Sequence, residues 1–372
     1  MNPLRCALLA VLCLMFQGCG SSSHSTTCTA NCGVSPGGEF LYGSPADGML
    51  NTFITAEIDP ATGAFTSLST TTPPILSSGG MAAVGSQFLY ISVGAQIFGY
   101  AINSTSGLLS SLSGSPFNLP KGRSPQHLVG VAAGHFLYAA DLAGGIDAFQ
   151  VDSSTGKLTP INGSPFGAAI SYDVATDTAG KFLYATDHAD GEVFAYMIGP
   201  NGALTDVQGS PFPLPGGKSG NPVGIVNTGS FLYVALTSLN EVAAFSINGG
   251  DGSLTAVPGM PIAAGDAPTS LAAAGKFLYV VNAKDADISG YSIDSSSGAL
   301  RTISGSPFFP KGSIATIATD PSGKYLFVSR TVGIFGSTIN PTTGALTETN
   351  RGVSNDGSLW LVIVQTSSSV SQ

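Results

Sequence analysis

The triplet Phe-Leu-Tyr recurs along this chain at intervals of 46 to 49 residues. A fixed period in this range is typical of a propeller, a solenoid or another repeat array, in which each unit buries its apolar face against the next. The repeat therefore constrains the fold more than the length of 372 residues does. The six copies begin at Phe40, Phe88, Phe136, Phe182, Phe231 and Phe277, and a seventh, altered copy is Tyr325-Leu326-Phe327.

Each repeat carries the pattern of four short strands and no helical period. The Phe-Leu-Tyr strand is followed by a second apolar and aromatic strand, as from Ile146 to Val151, and then by a glycine turn. A third strand ends in Gly-Ser-Pro-Phe, as at 163–166, and should be the outer edge because proline cannot donate to a ladder. A small apolar strand, as from Ser270 to Ala274, suits the crowded position nearest the axis. The turn glycines are Gly63, Gly107, Gly156, Gly202, Gly252, Gly298 and Gly344.

Four antiparallel strands repeated seven times predict an all-β, seven-bladed β-propeller over residues 39–366. The first repeat has no inner strand before Phe40, whereas an unassigned apolar strand, Leu359 to Val364, follows the seventh repeat. We therefore expect that C-terminal strand to be the inner strand of blade one, so that both ends of the chain build the first blade. Residues 367–372 are expected to form a disordered tail.

The N-terminus has the pattern of a bacterial lipoprotein signal. Arg5 precedes an apolar run from Cys6 to Phe16 that is too short to span a bilayer, and Gly18-Cys19 is followed by serines. We expect a signal peptide at 1–18, lipidation of Cys19, and a flexible tether at 19–38. Ordinary signal cleavage near Gly18 without a lipid is the alternative.

Two further cysteines, Cys28 and Cys32, lie four residues apart in the tether. In an oxidising compartment they could pair in a small loop. The alternative is a metal site, for which two cysteines without neighbouring histidines supply too few ligands.

Composition excludes one class of partner. The net charge is −9 and only 9% of the residues are charged, whereas neutralising a phosphate backbone requires clustered Lys and Arg. We therefore expect no nucleic-acid partner.

The strand and turn motifs are similar to those of the YVTN/lactonase-type seven-bladed propellers, many of which are described as 6-phosphogluconolactonase-like. The motifs are the Phe-Leu-Tyr strands, the Thr-Gly turns and Gly-Ser-Pro-Phe, and the resemblance covers about residues 38–365. It implies the fold and, by analogy alone, a lactonase activity. These motifs build blades, so no catalytic residue is carried over from the family.

The strand order sorts the connections onto two faces. Short Ala-Gly-Lys and Thr-Gly turns lie on one face, named here the uniform face. Longer, varied loops lie on the other, the irregular face, and the variation favours it as the binding side; polar loop residues placed there only for solubility are the alternative. Seven of the 13 Lys and Arg residues lie on the irregular face: Lys121, Arg123, Lys218, Lys284, Lys311, Arg330 and Arg351.

Lactone hydrolysis requires a base to activate water and a cation or donor near the developing oxyanion. The irregular face offers His127, and His188 or Asp187 as base, with Arg123 or Arg330 as the oxyanion partner. Solvated loop residues without a catalytic role are the alternative for all five.

Other motifs do not support a catalytic assignment. Gly33-Val34-Ser35-Pro36-Gly37 matches G-x-S-x-G but precedes a strand with no helix after it, so the nucleophile-elbow context is missing. Asp187 and Asp190, like Asp285 and Asp287, lack an EF-hand ligand pattern. We expect no cofactor and no metal.

The sequence thus leaves two functions open. The first is a monomeric cell-envelope lipoprotein that binds a small molecule or an envelope protein through its irregular face, held at the membrane only by its lipid. The second is a lactone-hydrolysing enzyme acting on an extracytoplasmic substrate.

Overall fold

The computed structural model describes residues 38–45, 53–68, 78–167, 170–309, 313–353 and 359–366. All of them belong to the compact unit Pro36–Gln372. The predicted signal peptide, the lipid attachment at Cys19, nearly all of the tether, the cysteine pair and the tail lie outside the described residues. No helix within the described residues has the length and apolar character that a membrane span needs.

Seven antiparallel sheets form the seven blades of a propeller, and each has four main strands. The inner strands of blades 1 to 7 are Leu359–Gln365, Gly80–Val84, Pro125–Val131, Ser171–Thr176, Pro222–Asn227, Pro268–Ala274 and Ile314–Thr319. The second strands are Glu39–Pro45, Phe88–Val93, Phe136–Asp141, Phe182–Asp187, Phe231–Leu236, Phe277–Asn282 and Tyr325–Arg330. The third strands are Ile54–Ile58, Gln96–Ile102, Ile146–Val151, Glu192–Ile198, Glu241–Ile247, Asp287–Ile293 and Gly333–Ile339. The outer strands are Phe65–Ser67, Leu109–Ser111, Leu158–Pro160, Leu204–Asp206, Leu254–Ala256, Leu300–Thr302 and Leu346–Val353.

The closure of the ring is as predicted. The C-terminal strand Leu359–Gln365 pairs antiparallel with Glu39–Pro45 as the inner strand of blade 1, with Tyr42 opposite Val362. Thr366 adds a side-chain hydrogen bond of 3.0 Å from its Oγ1 to the carbonyl of Gly38. Blade 1 is therefore assembled from both ends of the propeller, and its second strand has a hydrogen-bonded partner on its inner side.

The Gly-Ser-Pro-Phe sequence lies beyond the short outer strand. In blade 4 the phenylalanine, Phe212, pairs with Val193 of the third strand, which gives the short strand Phe212–Pro213. Equivalent short strands are Phe117–Asn118 in blade 2 and Ile262–Ala263 in blade 5, and a 3₁₀ helix covers Gly217–Ser219. The serine side chain accepts a hydrogen bond from the third strand, since the amide of Ala195 donates to Ser210 Oγ at 3.0 Å.

The repeated tyrosines join each blade to the next. Tyr138 donates through its hydroxyl to the carbonyl of Gly202, a turn glycine of the following blade, at 2.8 Å. The same bond recurs from Tyr42 to Gly107, Tyr90 to Gly156, Tyr184 to Gly252, Tyr233 to Gly298 and Tyr279 to Gly344. All seven turn glycines have positive φ, as the hairpin turn predicts. The altered seventh copy has Phe327 at the tyrosine position, and its ring packs against Phe65 of blade 1 instead.

The inner strands of neighbouring blades lie close enough to require glycine. A Cβ at Gly80, Gly130 or Gly224 would overlap a backbone carbonyl of the next inner strand or the one before it. The prediction that the small apolar segment, as from Ser270 to Ala274, forms the strand nearest the axis is confirmed. The inner strands together surround a central channel.

Candidate functional site

A cavity of about 390 Å³ lies in the central channel, lined by residues from the inner strands of all seven blades. Its lining lies toward the first residues of those strands, such as His127, Tyr172 and Val223, and so toward the irregular face. The closed ring therefore places residues that are distant in sequence in the wall of one cavity. Among the lining side chains, His127 and its partner Asp173 form a pair that can transfer a proton.

His127 and Asp173 form an imidazole–carboxylate pair across the interface of blades 3 and 4. The Nδ1 of His127 lies 2.9 Å from Oδ1 of Asp173. Because the carboxylate accepts from Nδ1–H, the neutral imidazole has its lone pair on Nε2, where a base needs it. That Nε2 is buried and has no hydrogen-bond partner among the described residues. A buried, unsatisfied nitrogen marks a position where a water molecule or a ligand hydroxyl is expected.

Asp173 is held in place by backbone donors from two blades. Its Oδ1 accepts from the amide of Val174 at 2.7 Å, and its Oδ2 accepts from the amide of Ile225, in blade 5, at 3.1 Å. The amide of Asp173 itself donates to Thr186 Oγ1. A carboxylate fixed in this way orients the imidazole that it contacts, which is the role that the third member of a catalytic triad performs.

A bulge at the start of the inner strand presents these residues to the channel. In blade 4 the pairing passes from Ser171 opposite Asp187 to Val174 opposite Ala185, so Tyr172 and Asp173 stand outside the regular ladder. In blade 3 a register shift likewise follows the pair of Ala140 with His127. Bulges commonly re-aim side chains beside active sites.

Aromatic rings surround the imidazole of His127. Trp360 of the closing strand meets it at 86°, with 4.5 Å between ring centroids, and Tyr172 lies 5.8 Å away. On its other side Tyr172 stacks on His188, again at 5.8 Å. Burial and the nearby charge of Asp173 raise the pKa of the Tyr172 phenol, which keeps it protonated and able to donate a hydrogen bond.

The remaining sequence candidates lie on the irregular face but not among the residues that line the cavity. Arg123 is held in blade 3: its Nη2 lies 2.8 Å from Oδ2 of Asp147 and its Nε lies 3.2 Å from Oδ2 of Asp141, while Nη1 donates to the carbonyl of Gly144. Burial raises the pKa of Asp147 to about 6, an effect that Arg123 opposes and the neighbouring carboxyl of Asp141 reinforces. The guanidinium of Arg123 thus stabilises two loops of its own blade.

Asp187 and His188 have different surroundings. Oδ1 of Asp187, a buried carboxylate, accepts from the amides of Ala189 and Asp190, which closes the turn at the end of its strand. His188 Nδ1 is buried without a partner among the described residues. His188 is not among the residues that line the cavity, but it stacks on Tyr172, which is.

Arg330 is buried between two rings in blade 7. Its guanidinium lies over Phe335 and Phe309, at 4.4 and 5.3 Å from their centroids, and its Nη2 lies 3.1 Å from Oε2 of Glu348. Its Nε has no hydrogen-bond partner among the described residues. Arg330 pairs in the sheet with Ile314, which does line the cavity, so it lies one strand away from the channel.

Two other lysines of this face are also paired. Lys218 lies 2.5 Å from Asp190, and Lys284 lies 3.4 Å from Asp266. Lys311 and the side chain of Arg351 lie outside the described residues, and Lys121 is exposed. The described residues contain no cluster of three His, Cys, Asp or Glu that could hold a metal ion.

The sequence indicated His127, which lies in the lining of the cavity, but not three residues that contact or adjoin it: Asp173, Tyr172 and Trp360. A signal was available in the alignment of the inner strands. Tyr172-Asp173 stands where Gln126-His127 stands in the preceding repeat, so polar residues recur at the start of strands that are otherwise small and apolar.

A family model described as lactonase, seven-bladed β-propeller, matches residues 81–216 and 213–317. No curated protein matches this chain. The matched region contains His127, Tyr172, Asp173 and His188, whereas Trp360 lies beyond it.

Solved structures share the fold. A Bacteroides uniformis protein described as a candidate 6-phosphogluconolactonase superposes with a TM-score of 0.74 at 20% identity, covering 89% of this chain and 100% of that one. The periplasmic gluconolactonase PpgL of Pseudomonas aeruginosa superposes with a TM-score of 0.72 at 19% identity, covering 88% of this chain and 99% of that one. At these identities the likeness shows the propeller fold alone.

Proposed function

The chain belongs to the seven-bladed β-propeller lactonase family, and on that premise we propose that it hydrolyses a lactone in the central cavity, with His127 as general base. The observation that carries the proposal is the His127–Asp173 pair in the lining of the cavity. Among the five sequence candidates, His127 combines a position in the lining with a carboxylate partner.

The chemistry follows from the geometry of the pair. His127 Nε2 takes a proton from water as the water oxygen bonds to the lactone carbonyl carbon, and Asp173 stabilises the imidazolium that forms. The carbonyl oxygen becomes an oxyanion, toward which the protonated phenol of Tyr172 is the candidate donor. When the intermediate collapses, the ring C–O bond breaks and the alkoxide takes the proton back from His127, which yields the open hydroxy acid.

The test is proton release by the purified protein with a panel of lactones, corrected for the buffer rate. We expect His127→Ala to lower kcat by about 10²-fold or more, the usual contribution of a general base. Asp173→Asn should lower kcat while leaving a neutral side chain of nearly the same size. Gln150→Ala, on the third strand of blade 3 with its amide bonded near the uniform face, is the matched control. Unchanged rates in both pair variants would contradict the assignment.

Ligand binding without turnover is the second candidate function. The burial of His127 Nε2 favours it, because a base must reach the water that it activates. A lactone that binds in the cavity but is hydrolysed only at the buffer rate would support binding over catalysis.

We also propose that the protein acts outside the cytoplasm as a monomer anchored through a lipid on Cys19. The support is the pattern of Arg5, the apolar run and Gly18-Cys19 in the sequence. Several acyl chains would anchor the protein stably, where one chain gives only marginal binding. Cys19→Ser should release the protein from the membrane fraction, and retention there would overturn the anchor.

A further inference from the structure

Trp360 is the only tryptophan in the chain and lines the central cavity. It lies on the closing strand Leu359–Gln365, outside the part of the chain that the family model matches. Its Nε1 donates to the carbonyl of Ser78 at 3.0 Å, which anchors the indole to the segment leading into blade 2. The ring is thus fixed in position at the wall of the cavity.

Two glycines bring blade 2 close to blade 3. Gly79 precedes the inner strand of blade 2 and Gly80 begins it, and a Cβ on either would overlap the carbonyl of Pro125 or of Gln126 in blade 3. Blades 2 and 3 therefore approach closely, and Trp360 of blade 1 reaches His127 of blade 3. The two perpendicular rings form a corner in the cavity wall.

The rest of the lining suits an uncharged ring. Met81, Leu271 and Ile317 supply apolar surface, and the carboxylate of Asp173 supplies the negative charge of the described lining. Two arginines of the irregular face have described side chains, and both are engaged elsewhere, Arg123 by Asp141 and Asp147 and Arg330 by Glu348. A dianionic phosphate in this corner would face Asp173, whereas the apolar face of a neutral ring would pack on the aromatic side chains.

We propose that Trp360 is a specificity-determining residue that stacks on the ring of an uncharged lactone, and that the aromatic corner which it forms beside Asp173 favours such a lactone over a phosphorylated one. The inference rests on the proposed lactone hydrolysis. It assigns to the closing strand a part in substrate recognition as well as in closing the ring.

The test compares D-glucono-1,5-lactone with its 6-phosphate as substrates. For the neutral lactone, Trp360→Ala should raise KM by roughly 10-fold, which corresponds to about 1.4 kcal/mol of lost stacking. Trp360→Phe should restore most of the affinity because it keeps an aromatic ring. Leu142→Ala, an exposed side chain in a loop of the same face, is the control and should leave KM unchanged.

A second readout does not depend on turnover. Because Trp360 is the only tryptophan, its fluorescence should change when the non-hydrolysable D-gluconolactam is titrated into the wild-type protein. An unchanged KM in Trp360→Ala together with unchanged fluorescence would overturn the stacking role. A lower KM for the 6-phosphate than for the neutral lactone would overturn the charge preference. A fluorescence change without hydrolysis of either lactone would refute the proposed enzyme activity but leave the stacking site supported.

Discussion

The indole of Trp360 meets the imidazole of His127 at 86°, with their centroids 4.5 Å apart. Trp360 belongs to the strand that closes blade 1, whereas His127 belongs to blade 3. The strand that closes the ring therefore also supplies part of the cavity wall. The site should be sensitive to changes at the C-terminal end of the propeller.

Ending the chain after residue 357 should destabilise the whole propeller. The change removes the strand opposite Glu39–Pro45 and exposes the apolar face that Val364 covers. We expect a markedly lower urea midpoint and a broader transition, because Glu39–Pro45 loses its inner partner and the inner strands of blades 7 and 2 lose the strand between them. Ending the chain after Thr366 is the matched control, since it keeps the strand and the bonds of Thr366 to Gly38 and Ser104. Equal urea midpoints for the two truncated proteins would show that the closing strand does not stabilise the propeller.

Tyr138→Phe should cost about 1 kcal/mol of unfolding free energy. The substitution removes the hydrogen bond to Gly202 and leaves that carbonyl without its partner, while the ring and its packing remain. Tyr138→Leu should cost more, since it also removes buried ring surface. Urea denaturation measures both. An unchanged free energy in Tyr138→Phe would mean that the bond between these blades adds no stability.

The propeller could be predicted from the sequence because its elements are local and repeated. The Phe-Leu-Tyr strands, the turn glycines and the unassigned strand after repeat seven each carry a pattern that needs no knowledge of distant contacts. The site could be predicted only in part, since Tyr172 and Asp173 reach the channel through a bulge that no propensity signals. The sequence placed Arg123 on the irregular face, but it could not show that Asp141 and Asp147 meet its guanidinium there.

Two glycines of blade 5, one of them a turn glycine, offer a test of steric closeness at the same φ. Gly252 and Gly259 both have φ of +79°, but a Cβ at Gly252 would overlap the ring of Phe182, whereas none of the described atoms lies within 4 Å of one at Gly259. Gly259→Ala should cost about 1 kcal/mol, from the left-handed conformation alone. Gly252→Ala should cost roughly 1–3 kcal/mol more, from overpacking. Equal losses of unfolding free energy in the two variants, measured by thermal or urea unfolding, would contradict close packing of Gly252 in blade 5 against Phe182 in blade 4.

Arg123→Ala should reduce stability more than activity. It leaves Asp141 and Asp147 buried without their guanidinium, which costs roughly 3 kcal/mol at neutral pH. The loss should be smaller at pH 5, because Asp147, whose pKa is raised to about 6, can then bind a proton. Lys121→Ala, an exposed change in the same loop, should alter stability by less than about 0.5 kcal/mol. A large fall in kcat with unchanged stability would instead support the oxyanion role that the sequence suggested.

Glu39 is a buried carboxyl whose burial, together with the charge of Asp320, raises its pKa to about 7 from the usual 4.5. Its Oε1 has no hydrogen-bond partner among the described residues. The folded protein therefore holds this proton more tightly than the unfolded chain does. The stability that the protonated form provides is present below pH 4.5 and is lost as the pH rises through about 7.

Glu39→Gln should therefore raise the thermal midpoint at pH 8, where the wild-type protein must bury an ionised carboxylate, by an amount equivalent to about 1–3 kcal/mol. At pH 5 the two proteins should differ little, because Glu39 is then largely protonated and uncharged in the folded state. Glu57→Gln, an exposed change on the adjacent strand, is the control and should shift neither midpoint. A gain of equal size at pH 5 and pH 8 would mean that the effect of Glu39→Gln comes from packing and not from the charge of the carboxylate.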